Sequence, residues 1–166
     1  MDNDQLREKV TSDIMANYRD LNSPDFHWVQ PKYLSNPYKD TISKIVKIGF
    51  DVIEETDLNE DVSVNLFLRK DDINYFLRLS LIGRYAIIFR HDREYGDRVV
   101  SQIDIRDTPM LQSLAEILVD DAINIIEQPI AETPIRLNLF NTDMDKATFY
   151  NALFSDEPFP GKTGFQ

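Results

Sequence analysis

The apolar residues of this chain change their spacing once, and that change constrains the fold more than any other feature. Between residues 62 and 105 they recur at every second position. The series runs Val62, Val64, Leu66, Leu68, then Ile73, Tyr75, Leu77, Leu79, Leu81, then Tyr85, Ile87, Phe89, then Val99, Ile103 and Ile105 around Ser101. Successive side chains of a strand point to opposite faces, so this spacing predicts strands. The interruptions at 70–72, 83 and 92–97 are short, which predicts an antiparallel meander of four strands. At Thr108-Pro109 the period lengthens to about 3.6. Leu111, Leu114, Ile117, Leu118, Ala122 and Ile125 then form one stripe of a helix over 108–127, with proline in its favoured first turn and Pro129 beyond its end. One sheet face reads as apolar and the other as mixed, so helices are expected on one face only.

The flanking segments fill in the remainder. Leu6, Val10, Ile14, Tyr18 and Leu21 predict a helix over about 4–20, ended by Asn22-Ser23-Pro24. Residues 24–38 combine Pro24, Pro31 and Pro37 with Phe26, Trp28, Tyr33 and Tyr38, an aromatic density expected of an irregular segment packed onto the domain. Ile42, Ile45, Val46, Gly49, Phe50 and Ile53 share one helical face, predicting a second helix that carries Glu54 and Glu55 at its end. Pro134 to Phe140 reads as a fifth strand at a sheet edge, and a short helix follows from Thr142 through Leu153. The fold class is therefore α+β, a four- or five-stranded antiparallel meander with helices on one face. A single domain is expected over 1–154, with a flexible tail over 155–166 that holds two prolines and two glycines.

Charge narrows the function. The chain has 29 acidic residues against 18 basic ones, a formal net charge of −11. A nucleic-acid binder should carry a basic footprint, so nucleic acid is not expected as a partner. Cysteine is absent, which excludes disulfides, thiolate metal sites and a cysteine nucleophile. The N-terminal sequence Met1-Asp2-Asn3-Asp4-Gln5 lacks the basic start and apolar stretch of a secretory signal, and no apolar run approaches a membrane span. A cytoplasmic protein with no membrane contact is the expectation.

Chemistry-bearing motifs are incomplete. Gly161-Lys162-Thr163 resembles the end of a phosphate loop, but the glycine required five residues earlier is Asp156 and no helix can follow. His91 lies among Arg90, Asp92, Arg93 and Glu94, where it could act as a general base or metal ligand. Neighbours in a strand face opposite ways, so Asp92 is a poor orienting partner for it. The other histidine, His27, sits in the aromatic segment. No serine has the surroundings of an acyl-transfer nucleophile. Asp57-Leu58-Asn59-Glu60-Asp61 has the acids of a calcium loop without its central glycine. The sequence therefore predicts a non-enzyme with no metal and no cofactor.

Two acidic clusters remain. Residues 51–61 hold six acids and no base, and residues 116–145 hold seven acids and one base, Arg136. Such runs can be solvated helix faces, or docking surfaces for a basic protein. The residues proposed for contact are Glu54, Glu55, Asp57, Glu60 and Asp61 in the first cluster and Glu116, Asp120 and Asp121 in the second. Trp28 adds an aromatic contact from the proline-rich segment, where the alternative is a satellite core. Arginines on the open sheet face could pair with acids or hold a small anion. At the level of class alone, small acidic cysteine-free α+β proteins include bacterial immunity proteins that neutralise a toxin, and secretion chaperones. The expected function is thus an acidic binding module, an immunity-type inhibitor of a basic toxin such as a nuclease, present as monomer or homodimer. The alternatives are a dimeric secretion chaperone and a small hydrolase using His91 with nearby carboxylates.

Overall fold

The computed structural model describes residues 1–160. The chain order is α1 (Asn3–Tyr18), α2 (Val29–Leu34), α3 (Lys39–Lys47), β1 (Asp51–Glu54), β2 (Ser63–Lys70), β3 (Ile73–Ser80), β4 (Tyr85–Asp92) and β5 (Gly96–Val99). There follow α4 (Gln102–Asp107), α5 (Pro109–Asp120), β6 (Asn124–Ile125), α6 (Gln128–Ala131), a 3-10 turn at Met144–Lys146 and α7 (Phe149–Leu153). The fold is α+β. Strands β1 to β5 form an antiparallel meander in sequence order, and β6 pairs parallel to the start of β4. No helix among the described residues is long and apolar enough to cross a membrane.

The sheet carries helices on both faces, which corrects the one-sided expectation. Leu66, Leu77 and Ile88 point to one face, where they bury against Ile45 of α3 and Leu111, Leu114 and Leu118 of α5. Tyr85, Ile87 and Phe89 point to the other, where Val10 and Ile14 of α1, Ile130 of α6 and Phe149 and Leu153 of α7 cover them. The reason lies in β4. Its run Tyr85-Ala86-Ile87-Ile88-Phe89 is apolar without a break and buried throughout, the pattern of a strand covered twice. On β2 and β3 the same second face carries Asn65, Phe67, Phe76 and Arg78 and is only partly covered.

Several boundaries differ from expectation, each for a local reason. The second helix stops at Lys47 because Gly49 takes a φ of 105°, and the chain then enters β1. Phe50 and Ile53 are therefore not helical, and Val46 is half exposed. The fourth meander strand ends at Val99. Ser101 starts α4 through a capping box, its hydroxyl accepting the Asp104 N–H while the Asp104 carboxylate accepts the Ser101 N–H at 2.8 Å. Helix α5 ends at Asp120, and Ala122 adopts a φ of 58° that turns the chain into β6. Residues 134–140 form no strand beyond a single bridge from Pro134 to Thr148.

The expected loose tail is packed as far as it is described. Ser155 bridges Asp61, the Asp156 N–H donates to Glu60 O at 2.9 Å, and Phe159 stacks edge-on against Tyr150 at 5.0 Å. These anchors join the segment to the second core, so the domain does not end at 154.

Helix phase is testable by paired substitutions. Leu118 is fully buried and its neighbour Val119 is 65% exposed. Leu118→Ala should cost about 2–5 kcal/mol in urea denaturation, and Val119→Ala less than about 0.5 kcal/mol. Equal costs would refute the orientation of α5.

The buried tyrosines predict an alkaline limit. Burial pushes the Tyr38 phenol up to about 12, partly opposed by Arg84. Burial also raises Tyr18, Tyr85 and Tyr150. The unfolded chain ionises its phenols near pH 10.0 while the fold keeps them neutral. Their stabilising contribution is therefore complete below pH 10 and falls progressively above it, that of Tyr38 being lost as pH rises through about 12. Thermal melts between pH 8 and 12 should show a constant midpoint and then a decline, accompanied by tyrosinate absorbance.

Candidate functional site

The loop from β1 to β2 carries the first acidic cluster, and a network of side chains fixes its shape. The Thr56 hydroxyl accepts the Asn65 N–H at 3.0 Å. Asp61 Oδ2 accepts from the Asp57 N–H at 2.9 Å and from Asn65 Nδ2 at 2.6 Å. Arg78 then bridges two segments, with one nitrogen 3.2 Å from Asp61 and the other 3.2 Å from Glu157. Its guanidinium lies over the Tyr150 ring at 5.8 Å. Asp61 is thus a buried structural carboxylate, which corrects its expected role as an exposed docking acid. Glu60 lies against Glu157, whose hydrogen bond and negative charge raise the Glu60 carboxyl above its ordinary range. Glu54, Glu55 and Asp57 are exposed, and Glu54 accepts a hydrogen bond from the Tyr33 hydroxyl.

This loop forms one wall of a cleft of about 650 Å³. The aromatic segment contributes Pro24, Phe26, His27, Val29 and Gln30 to the same lining. Two surfaces that the sequence presents separately therefore meet at one place. Leu139, Phe140, Tyr18, Asn151 and Asp156 complete the lining. The lining contains Glu60, Asp61 and Asp156 but no lysine or arginine. A second depression of about 270 Å³ shares Glu60 and Asp61 and adds Glu55, Asp57, Arg78 and Glu157.

Trp28 does not line the cleft. Its Nε1 donates to Asp25 O at 2.7 Å, and its ring packs edge-on against Tyr18 at 5.6 Å. It is half-buried, filling the joint between the two cores, so its role is packing. Its neighbour Phe26 and the distant Phe140 form the aromatic surface instead, with ring centroids 6.2 Å apart.

The second acidic cluster is divided by the fold. Glu116 and Asp120 are exposed on α5. Asp121 is instead a junction: it pairs with Lys44, accepts from the Thr41 hydroxyl at 2.5 Å, and its backbone carbonyl accepts from Arg84 at 3.0 and 2.8 Å. Hydrogen bonds from Lys44, then Thr41, hold its carboxyl below the usual range. It ties α3 to α5 and is corrected from docking to structural. No hydrogen bond or ion pair among the described residues joins this cluster to the first.

His91 acquires a carboxylate partner, though not Asp92. Its Nδ1 lies 2.6 Å from Asp97 across the β4–β5 pair, while Asp92 accepts from the Glu94 and Tyr95 N–H groups of the turn. A polar depression of about 580 Å³ surrounds it, with Arg69, Asn74, Arg90 and Arg93 in the wall. No serine, threonine or tyrosine belongs to that lining, whereas Asp71, Asp72 and Asp92 do. His27 lies in the other cleft, exposed and 3.0 Å from Asp25. Among the described residues no group of three or more His, Asp or Glu could hold a metal ion. Gly161-Lys162-Thr163 falls outside the described residues.

Asp156, Asn151 and Phe140 escape sequence reasoning. The readable signal is the aromatic run Phe149, Tyr150, Phe154 and Phe159, too dense for a solvated tail.

Compared with protein families, curated proteins and solved structures, the chain finds no match.

The Arg78 bridge makes a stability prediction. Asp61 and Arg78 are both largely buried, so Arg78→Met alone should cost about 3–5 kcal/mol by stranding a charge. Adding Asp61→Asn should restore much of the loss. Urea denaturation of the two variants checks this, and a double variant less stable than the single one would refute the pairing.

Proposed function

We propose that this protein is an acidic protein-binding module, an immunity-type inhibitor that neutralises a basic toxin such as a nuclease. It acts in the cytoplasm, covers the toxin's cationic substrate site with carboxylates that imitate phosphate, and performs no chemistry itself. The observation that carries this reading is the cleft between the acidic loop and the aromatic segment. It combines carboxylates, of which Asp61 is already paired with Arg78, with exposed apolar surface, and has no lysine or arginine in its lining. Charge of one sign steers an oppositely charged partner, and the apolar walls supply area that electrostatics alone does not. Of the exposed members of the first cluster, Glu55 and Asp57 line the depression that shares Glu60 and Asp61 with that cleft, and Glu54 directly precedes them in the chain. Glu116 and Asp120 form a separate acidic face that solvates α5.

A second reading is a dimeric secretion-type chaperone. The partly uncovered row of Ile53, Phe67 and Phe76 favours it, with the two phenylalanine rings 4.9 Å apart and Ile53 half exposed. Sedimentation of the pure protein separates the two, because a monomer is expected of the inhibitor and a dimer of the chaperone.

The deciding experiment is stopped-flow association with a basic nuclease-toxin domain, the partner class that this reading names. Association should be fast at low salt and slow as the Debye length shortens to about 8–10 Å. Reversal of Glu54, Glu55 and Asp57 to lysine should lower the on-rate about tenfold or more. Reversal of Glu116 and Asp120 should change it little. If neither set alters association, the inhibitor reading fails.

A further inference from the structure

Asp156 is a carboxylate that the fold itself does not fully satisfy. It is only 7% exposed. Its Oδ2 accepts the Asn141 N–H at 2.8 Å, while its buried Oδ1 has no hydrogen-bond partner. Folded proteins rarely keep a buried polar atom unpaired, since it loses water and gains nothing in return. The surroundings offer no remedy. The cleft that Asp156 lines also holds Glu60 and Asp61 and no lysine or arginine. Arg78 is committed to Asp61 and Glu157, and His27 at the rim to Asp25.

Aromatic surface lies alongside. Phe140 is 88% exposed, an unfavourable position for so large an apolar side chain, and its ring is inclined 33° to that of Phe26. Tyr18 belongs to the same lining. A ligand that suits these groups must donate hydrogen bonds to a buried carboxylate while presenting a flat face to aromatic rings. Guanidinium does both: its donors fork onto carboxylates and its plane stacks on aromatics. A lysine ammonium satisfies the charge but not the stacking.

We propose that this cleft seats an arginine side chain of the partner protein, with Asp156 as its carboxylate acceptor and Phe140 as its stacking wall. The proposal rests on the binding-module reading for the partner being a protein. The volume, about 650 Å³, exceeds one side chain and accommodates the short segment that carries the arginine.

The test uses the full chain, isotope-labelled, and three blocked amino acids as probes: N-acetylarginine methylamide, its lysine counterpart and its norleucine counterpart. Saturable amide shifts at Phe26, Asn141 and Asn151 are expected with the arginine probe at millimolar concentration. The lysine probe should bind more weakly, and norleucine should not saturate. Asp156→Asn retains an acceptor for the Asn141 N–H and should weaken arginine binding about tenfold or more. Phe140→Ala alters an exposed position that the fold does not need, and should weaken binding about threefold or more. Three results would each overturn the proposal: no saturation with arginine, equal binding of norleucine, or wild-type affinity in both variants. Failure of the arginine probe together with loss of toxin association on reversal of Glu54, Glu55 and Asp57 sinks the arginine seat and leaves the inhibitor standing. Arginine binding that depends on Asp156, with toxin association indifferent to those reversals, upholds the seat and sinks the inhibitor.

Discussion

Burial of β4 from both sides is the constraint on which the other elements depend. Five consecutive apolar side chains leave that strand no face that water can occupy. The chain answers with two separate layers of helix. Helices α3 and α5 meet the even-numbered side of the strand, and α1, α6 and α7 meet the odd-numbered side. The parallel partner β6 follows from the same demand, because it supplies backbone hydrogen bonds where β4 extends past β5. Away from β4 the second layer thins. That leaves the uncovered stretch of β2 and β3, and the cleft between the acidic loop and the aromatic segment, at the margin of the helical cover.

The acidic composition divides into two kinds of carboxylate. Asp61, Asp104 and Asp121 have cationic partners inside the fold and hold segments together. Hydrogen bonds from Arg98 keep the Asp104 carboxyl well below the usual range, and Ser101 adds to the effect. Glu54, Glu55, Asp57, Glu116 and Asp120 face solvent. Net charge alone therefore overstates how much of the acidity a partner meets, and a charge-reversal experiment is interpretable only on the second kind.

The meander and the principal helix are legible in the sequence because alternation sustained over tens of residues suits a pleated strand and no other backbone. Features decided by single residues or by distant packing are not legible in the same way. The spacing from Ile42 to Ile53 fits a helix, yet the left-handed backbone of Gly49 overrules it. The alternation around Ser101 fits a strand, yet a capping box with Asp104 is the stronger local signal. Alternation along most strands suggests one-sided cover, whereas the unbroken run in β4 indicates two. At the cleft, the acids and aromatics are visible as types, but their meeting depends on the loop after β1 folding toward residues 24–30. Trp28, the most conspicuous aromatic, turns inward, and Asp156 is hidden in a segment whose prolines and glycines suggest a solvated tail.

Helix α1 packs against α7, and the Tyr18 hydroxyl donates to Ala152 O across 134 residues of sequence. A helix made early thus has its partner in a segment made much later. Its apolar face meets Tyr85, Ile87 and Phe89 of β4, but the second core closes only when residues 149–159 emerge. The first core, built from α3, the meander and α5, draws its apolar residues from before residue 126, although Val62 and Ser63 still bond to Phe154 O. The second core is therefore the one that cannot be completed until residues 149–159 are made and α7 closes against α1 and β4. A chain cut short before residue 149 would leave the outer layer of the fold without its keystone.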